Sequence, residues 1–374
     1  MKSVPTLPNS DRKTVIGVIT RRPNALRKSR KVLISETIDS KRPRFAAILT
    51  SGLRKGQSIA KNVIDEIPKQ WLDSLNEGDI IGIYPDGTIN VLWEVESNQN
   101  IIFVTNRCNS RCIMCPQPMA EDPVDLHANN LLVLKLIGKE SVKAIGLTGG
   151  EPTIDLERCV QIIRLCRIRF PEATINFLTN GRLLNVENIQ RLITLHHKLM
   201  FCIPIHADNA AIHDAITNSP GSFFETITSI QNLALYNQEI ELRVVITKLN
   251  QQRLKNIADF IYRNFPFSVH VAFMGMEVCG AAHENQKMIW IDPYDYINEL
   301  CEAVNHLHQR GMNVSIYNIP LCLLPQNYWR FASDSISDWK KGYDERCLEC
   351  SKKSMCPGLF LTSKIQSQGI RAVI

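Results

Sequence analysis

Cys108, Cys112 and Cys115 stand within eight residues in the run Arg107-Cys-Asn-Ser-Arg-Cys-Ile-Met-Cys-Pro116, directly after the apolar stretch Ile101-Ile-Phe-Val104. Three thiolates at this spacing can curl around a cube of iron and sulfide and ligate three of its four irons, which leaves one iron open. A metal centre with an open position admits a substrate, whereas a full set of protein ligands closes it. A zinc knuckle would need a fourth ligand, and no Cys or His follows before His127 at a ribbon spacing. Packing as core thiols is the other alternative, but the run is polar and bounded by proline rather than an apolar stripe.

About thirty residues downstream, after a second apolar stretch, comes Leu147-Thr-Gly-Gly-Glu-Pro-Thr153. Paired glycines let a backbone press close to a ligand, and the Glu151 carboxylate offers an acceptor to an ammonium group. The two motifs in this order resemble the core of the radical S-adenosylmethionine (SAM) superfamily. The resemblance implies a [4Fe-4S] cluster on Cys108, Cys112 and Cys115 whose open iron chelates SAM. It also implies that Gly149, Gly150, Glu151 and Pro152 form the turn that binds the SAM methionine amino group. The runs Thr105 to Pro118, Ile205-His-Ala-Asp208, Tyr317-Asn-Ile-Pro-Leu-Cys-Leu-Leu-Pro325 and Ser335-Ile-Ser-Asp-Trp339 further resemble the His-Xaa-Ser-system radical SAM maturases, which modify ribosomally made peptides.

A second cysteine constellation lies near the carboxyl end: Cys322, then Cys347-Leu-Glu-Cys350-Ser-Lys-Lys-Ser-Met-Cys356. Four thiols can close a metal site, and the spacing suits either a zinc ribbon or a fully ligated [4Fe-4S] cluster. Resemblance to the auxiliary-cluster regions of peptide-modifying radical SAM enzymes implies iron and sulfide. Cys159, Cys166, Cys202, Cys279 and Cys301 are scattered in apolar surroundings and read as core.

These motifs need a scaffold to bring them together. From Ile101 onward strand-like runs alternate with helix-like ones: Ile101 to Val104, Ala144 to Leu147, Thr174 to Leu178, Leu199 to Ile205, Ile240 to Thr247 and Val269 to Phe273. The expected fold is α/β, a partial (β/α)6 barrel. Right-handed crossovers make such strands parallel, and sites in these folds form on the loops at the strands' carboxyl ends. The cysteine run, Gly149, Thr179-Asn-Gly181 and His206-Ala-Asp208 follow the first four strands in turn, so all four should share one rim. The resemblance implies that Thr179 and His206 contact SAM, although serine is commoner at the latter position and a hydrogen-bonded structural histidine is the alternative. Arg243 lies within an apolar strand, where a guanidinium needs an anion. The SAM carboxylate or an internal partner such as Asp208 would serve.

Residues 1 to 61 carry fifteen Lys or Arg against three acids, a balance of +12 in a chain whose net charge is +6. Short β-like runs follow one another there, Val15 to Thr20, Lys31 to Ser35 and Phe45 to Thr50. Asp79 to Tyr84 and Thr88 to Val95 then form a hairpin through Pro85-Asp-Gly87. The expected organisation is a basic β-rich domain over 1–97, a core barrel over 98–290 and a Cys-rich auxiliary iron-sulfur region over 291–374. The basic face would attract an acidic peptide, a partner or nucleic acid, or would simply keep the protein soluble.

The expected chemistry follows from the open iron. A reduced cluster cleaves SAM to a 5′-deoxyadenosyl radical that takes a hydrogen atom from the substrate. No catalytic side chain is required beyond the cluster and SAM, and the protein's work is positioning. An auxiliary cluster accepting the leftover electron would permit net oxidation, such as a cross-link. The implied partners are a peptide substrate with a leader, a partner radical SAM maturase, and an electron donor such as flavodoxin or ferredoxin. No apolar signal core or run of eighteen apolar residues occurs, so a cytoplasmic location without membrane is expected. Two other readings stay open: a radical SAM enzyme acting on RNA or a small metabolite, and a non-enzymatic iron-sulfur or zinc-binding module.

Overall fold

A computed structural model of the chain describes residues 2–6, 14–35, 45–52, 63–117, 119–123, 125–138, 142–335 and 340–374. Pro118, much of the basic segment and the Ile336 to Trp339 part of the maturase-like pattern lie outside them. The chain forms two compact units, Met1–Ile102 with Val124–Val142, and Phe103–Pro123 with Lys143–Ile374. The stretch expected as core barrel thus yields a segment to the amino-terminal unit.

In the first unit seven strands form one sheet: β1 (Ser3–Pro5), β2 (Val15–Thr20), β3 (Lys31–Ile34), β4 (Ala47–Leu49), β5 (Val63–Ile64), β6 (Ile80–Ile83) and β7 (Thr88–Trp93). Their order is β1-β7-β6-β2-β3-β4-β5. β6 and β7 pair antiparallel as the expected hairpin, whose turn places Gly87 at φ 87 and lets Asp86 accept from the Thr88 N–H at 2.8 Å. β2 through β5 are parallel. Leu72 of α1 (Lys69–Asp73) joins Ile19, Ile81 and Ile83 in the main core, and α2 (Leu126–Leu136) packs against β2.

After β8 (Ile101–Phe103), within which the boundary between the units falls, the second unit holds β9 (Ala144–Thr148), β10 (Thr174–Leu178), β11 (Leu199–Pro204), β12 (Glu239–Val245), β13 (His270–Met274), β14 (Val314–Tyr317) and β15 (Ala332–Ser333). The eight follow one another in a single sheet, parallel at every pair from β9 to β15. All six expected barrel strands are present, and the sheet runs on for two more. Strand periodicity separates the faces: in β12, Ile240, Leu242 and Val244 are fully buried, while Glu241, Arg243 and Val245 project to the opposite side.

Helices α3 (Leu156–Arg169), α4 (Val186–Ile193), α5 (Ala210–Thr217), α6 (Ser222–Leu235), α7 (Leu254–Asn264) and α10 (Ile297–His308) supply the crossovers, with two single turns, α8 (Ala281–Glu284) and α9 (Gln286–Ile289), after β13. In α3, Cys159, Ile162, Ile163 and Cys166 are all buried, the spacing of one helical face. Asp155, Asn185 and Asn209 cap α3, α4 and α5 by accepting from backbone N–H groups, which fixes where each loop ends and each helix begins. Near the carboxyl end β16 (Lys341–Gly342) and β17 (Leu359–Phe360) form a small antiparallel pair. Among the described residues no helix is long and apolar enough to cross a membrane.

Candidate active site

Within the second unit a cavity of about 610 Å³ opens at the carboxyl ends of the strands. Cys108, Cys112 and Cys115 line it together with Gly149, Gly150, Thr179, His206 and Arg243, so residues from five separate loops and strands meet as expected. The three thiols share one environment. Burial first, and then the proximity of Cys115 and Cys108, pushes the Cys112 thiol up to about 12, and burial raises Cys108 and Cys115 as well. Such thiols ionise readily only when a metal replaces their protons. Three convergent thiols on a cavity within the range that holds a small ligand fit a cluster with an open iron and SAM beside it.

The cysteine loop has no regular structure, and its shape is imposed by its neighbours. Thr105 Oγ1 and the Asn106 N–H donate to Asp122 at 2.8 and 2.6 Å, and Arg158 of α3 donates to the same carboxylate at 2.6 Å. This bond set clasps the two ends of the loop. The glycines also serve the cysteine loop itself. A Cβ on Gly149 would meet the Thr105 carbonyl oxygen at 2.5 Å, and one on Gly150 the Arg107 carbonyl oxygen at 2.2 Å. Gly150 N–H and Glu151 N–H donate to these carbonyls at 2.7 and 2.8 Å. The close approach is therefore to the cysteine loop's own backbone, welding the second loop to the first. Gly280 does the same from beyond β13, where a Cβ would lie 2.7 Å from the Pro116 oxygen.

Glu151 and Pro152 are buried. Glu151 accepts four hydrogen bonds: Thr153 N–H at 2.9 Å, Thr153 Oγ1 at 2.6 Å, Thr179 Oγ1 at 2.6 Å and Asn180 N–H at 2.6 Å. Burial holds its carboxyl above the ordinary range, against these bonds, which pull it down. Here Glu151 ties the second loop to the third, and Thr179 reaches it while lining the cavity. The third loop also grips the first. Asn180 Nδ2 donates to Asn109 Oδ1 at 2.7 Å, and Arg182, anchored on Glu225, donates to the Asn109 carbonyl and to Ser110 Oγ.

His206 is buried and its imidazole is held neutral, burial and then His213 pushing it down to about 3; its Nδ1 has no hydrogen-bond partner. Arg243 pairs internally, but with Glu241 rather than Asp208, which Arg253 binds at 2.8 Å. Glu241 also accepts from His270 Nδ1 at 2.8 Å and Tyr317 Oη at 3.2 Å, and His270 Nε2 meets Ser315 Oγ at 2.9 Å. Burial would raise the Glu241 carboxyl, yet His270 and Arg243 bring it to about 2.

The second cysteine set also converges. Cys322, Cys347, Cys350 and Cys356 line one small enclosed cavity of about 20 Å³. The Val373 and Gly358 N–H groups donate to Cys350 and Cys356 Sγ at 3.4 and 3.5 Å, the kind of contact that steadies a ligating sulfur. Among the described residues no three Cys, His, Asp or Glu are placed to hold a single metal ion, so the fit to a cluster rests on these shared cavities. Of the cysteines read as core, Cys159, Cys166, Cys202 and Cys301 are buried. Cys279 is only partly so and lies against the Pro116 oxygen of the cysteine loop, and Cys202 lines the large cavity.

Asp122 and Arg182 were not singled out by sequence, and Asn180 only as part of the Thr179-Asn-Gly181 run. Arg182 directly follows Thr179-Asn-Gly181, the only sequence signal that marks it.

Residues 102–261 match the family model described as the radical SAM superfamily. The chain is 25% identical over 167 residues to an uncharacterised protein of Methanocaldococcus jannaschii, covering 43% of this chain and 57% of that one. It is 23% identical over 159 residues to the antilisterial bacteriocin subtilosin biosynthesis protein AlbA of Bacillus subtilis, covering 41% of this chain and 34% of that protein. The chain thus spans little more than half, at most, of these relatives' length. The crystal structure of Streptococcus suis SuiB bound to S-adenosylmethionine aligns over 58% of this chain and 49% of its own, with 16% identity and a TM-score of 0.48.

Proposed function

From a chain whose residues 102–261 form a radical SAM domain, we infer an enzyme that modifies a ribosomally made peptide, of the His-Xaa-Ser maturase type. The observation that carries the radical chemistry is the convergence of Cys108, Cys112, Cys115, Gly149 and Gly150 on one cavity. When bound there, a reduced [4Fe-4S] cluster and SAM supply a 5′-deoxyadenosyl radical that removes a substrate hydrogen atom. The chain's own residues do the positioning. The Asp122 clasp, the glycine weld and the Arg182 grip hold the cysteine loop. Thr179, His206 and Arg243 line the same cavity and would form the wall against SAM.

Three features support a peptide as substrate. The second cysteine set has its own closed site, as peptide-modifying members of the superfamily have. The similarity to a bacteriocin biosynthesis protein points the same way. The strongly basic first 61 residues would draw an acidic leader. The same basic segment favours RNA as the second reading. Four proposed ligands, Cys322, Cys347, Cys350 and Cys356, would hold a second [4Fe-4S] cluster, with a flavodoxin- or ferredoxin-type donor supplying electrons.

Anaerobic reconstitution should load about eight irons per chain as two [4Fe-4S] clusters. Replacing Cys108, Cys112 and Cys115 by Ala should halve the iron and abolish SAM cleavage. Retained cleavage would remove the site assignment. A peptide with a leader and a His-Xaa-Ser core should be modified by the full chain, with a partner maturase where one is needed. No change in peptide mass, together with tight salt-sensitive RNA binding, would replace the peptide by RNA.

A further inference from the structure

Cys202 is the fourth cysteine on the wall of the large cavity, and unlike Cys108, Cys112 and Cys115 it has no place in a cluster. It lies on β11, in register with Glu241 and one step below the Pro204–Arg243 pair. Residues 200, 202 and 204 share a strand face, and Cys202 and Pro204 both line the cavity. Beyond Pro204, buried His206 lines the same space, and its Nδ1 has no hydrogen-bond partner among the described residues, as for a buried polar atom whose partner is a ligand. We propose that Cys202 gives its thiol hydrogen atom to a carbon radical formed in this cavity, making it a hydrogen-atom donor in the reaction.

The inference rests on the radical SAM reading of the cavity and deepens it. An S–H bond is weaker than the C–H bond it would make, so transfer from thiol to carbon runs downhill, whereas amide N–H and aliphatic O–H groups hold their hydrogens too strongly; the one phenol close by, Tyr317, is turned to Glu241, which accepts its O–H at 3.2 Å. Only the protonated form can act. Burial first, with the Glu241 carboxylate adding to it and Arg243 opposing, pushes the thiol up to about 12, so it carries its hydrogen at neutral pH. In the step, the S–H bond breaks, a C–H bond forms on the substrate, and the unpaired electron moves to sulfur. One electron from the low-potential one-electron donor that reduces the cluster, and one proton from water, then restore the thiol. The substrate has lost one hydrogen atom to 5′-deoxyadenosine and regained one. The outcome is a redox-neutral change at carbon, such as inversion of a peptide stereocentre, rather than a cross-link.

SAM alone is a sufficient probe. Without peptide, the carbon that needs a hydrogen atom is C5′ of the nucleoside, and in D₂O the Cys202 thiol carries deuterium. The reconstituted full chain, reduced anaerobically with SAM in D₂O, should release 5′-deoxyadenosine carrying one deuterium. In Cys202→Ser and Cys202→Ala the label per 5′-deoxyadenosine formed should fall to natural abundance. Label that persists in both variants overturns the inference, as does unlabelled product from the unsubstituted protein. Absence of any 5′-deoxyadenosine from the unsubstituted protein would overturn the radical SAM reading itself, and the inference with it. Ultraviolet-visible absorption of the clusters reports whether each variant is loaded, and two variants of different shape guard against a fold defect in either.

Discussion

Glu151 offers the sharpest choice between two roles, acceptor for the ammonium of SAM or internal bolt between loops. Its Oε1 takes three donors from Thr153 and Thr179, and Oε2 takes the Asn180 N–H. In Glu151→Gln the amide oxygen can keep the threonine donors, but its NH₂ must then face the Asn180 N–H. The Asn180 N–H loses its acceptor and the new NH₂ finds none, at about 1–3 kcal/mol each, and relief from burying a charge returns part of this, for a net loss of about 2 kcal/mol. With a urea m-value of about 2–3 kcal/mol/M, the unfolding midpoint of the cofactor-free protein should fall by about 0.7–1 M. Hydrogen exchange at the Asn180 amide should accelerate in the same variant. If the midpoint and the Asn180 amide are unchanged in the absence of SAM while SAM affinity collapses, the bolt is wrong and Glu151 is reserved for the ligand.

Arg182→Ala should release Asn109 and Ser110, so that the variant keeps about four irons, those of the second site, rather than about eight, measured by iron and sulfide analysis. Replacing Cys347, Cys350 and Cys356 by Ala should leave SAM cleavage but stop peptide product; one zinc and about four irons in the unsubstituted protein would instead make the second site a ribbon. Glu241, held near 2 when folded, contributes stability that is full above its unfolded value of about 4.3 and is lost as pH falls through about 2. Acid unfolding followed by circular dichroism should therefore lose its steepest limb in Glu241→Gln. Glu241→Ala, which strands Arg243, should cost about 3–5 kcal/mol at neutral pH.

The barrel was legible because its strands carry period-two or continuous apolar runs between helix-length stretches, and because each motif directly follows a strand. β14 and β15 escaped notice since Val314–Tyr317 is only four residues long and Ala332–Ser333 two, too short for a period to appear. The three-residue β1 lies among prolines and is too short to show a period, yet Val4 is buried. That α2 belongs to the first unit could not be read, because which surface an apolar helix face covers is a tertiary fact. The same limit applies to charge partners. Arg243 visibly needed an anion, but Glu241 two residues away on the same strand face was the nearer answer than Asp208. The clasp at Asp122 joins residues 17 and 36 positions apart and leaves no local mark. The paired glycines were legible as a sign of close approach, but that the Thr105 to Arg107 backbone is one of the neighbours that require them could not be read locally.

The segment that carries the carboxyl-terminal cysteine set also shapes the large cavity. Phe360 lines the large cavity, stands four residues after Cys356 and is held in β17 by pairing with Lys341 of β16. On the same wall Glu277 lies between Lys340 at 2.9 Å and Thr362, tying both sides of this small sheet to the loop after β13. Cys347 and Leu359 belong to one hydrophobic cluster with Ile370, so the Cys347 loop and the strand carrying Phe360 share a core. An unloaded second site would loosen that core and open the wall, admitting water to a radical that must react with only one C–H bond. A metal that merely accepted an electron could sit at a distance behind rigid protein. Here the proposed ligands and the cavity wall are one short segment, so filling the second site would also close the chamber.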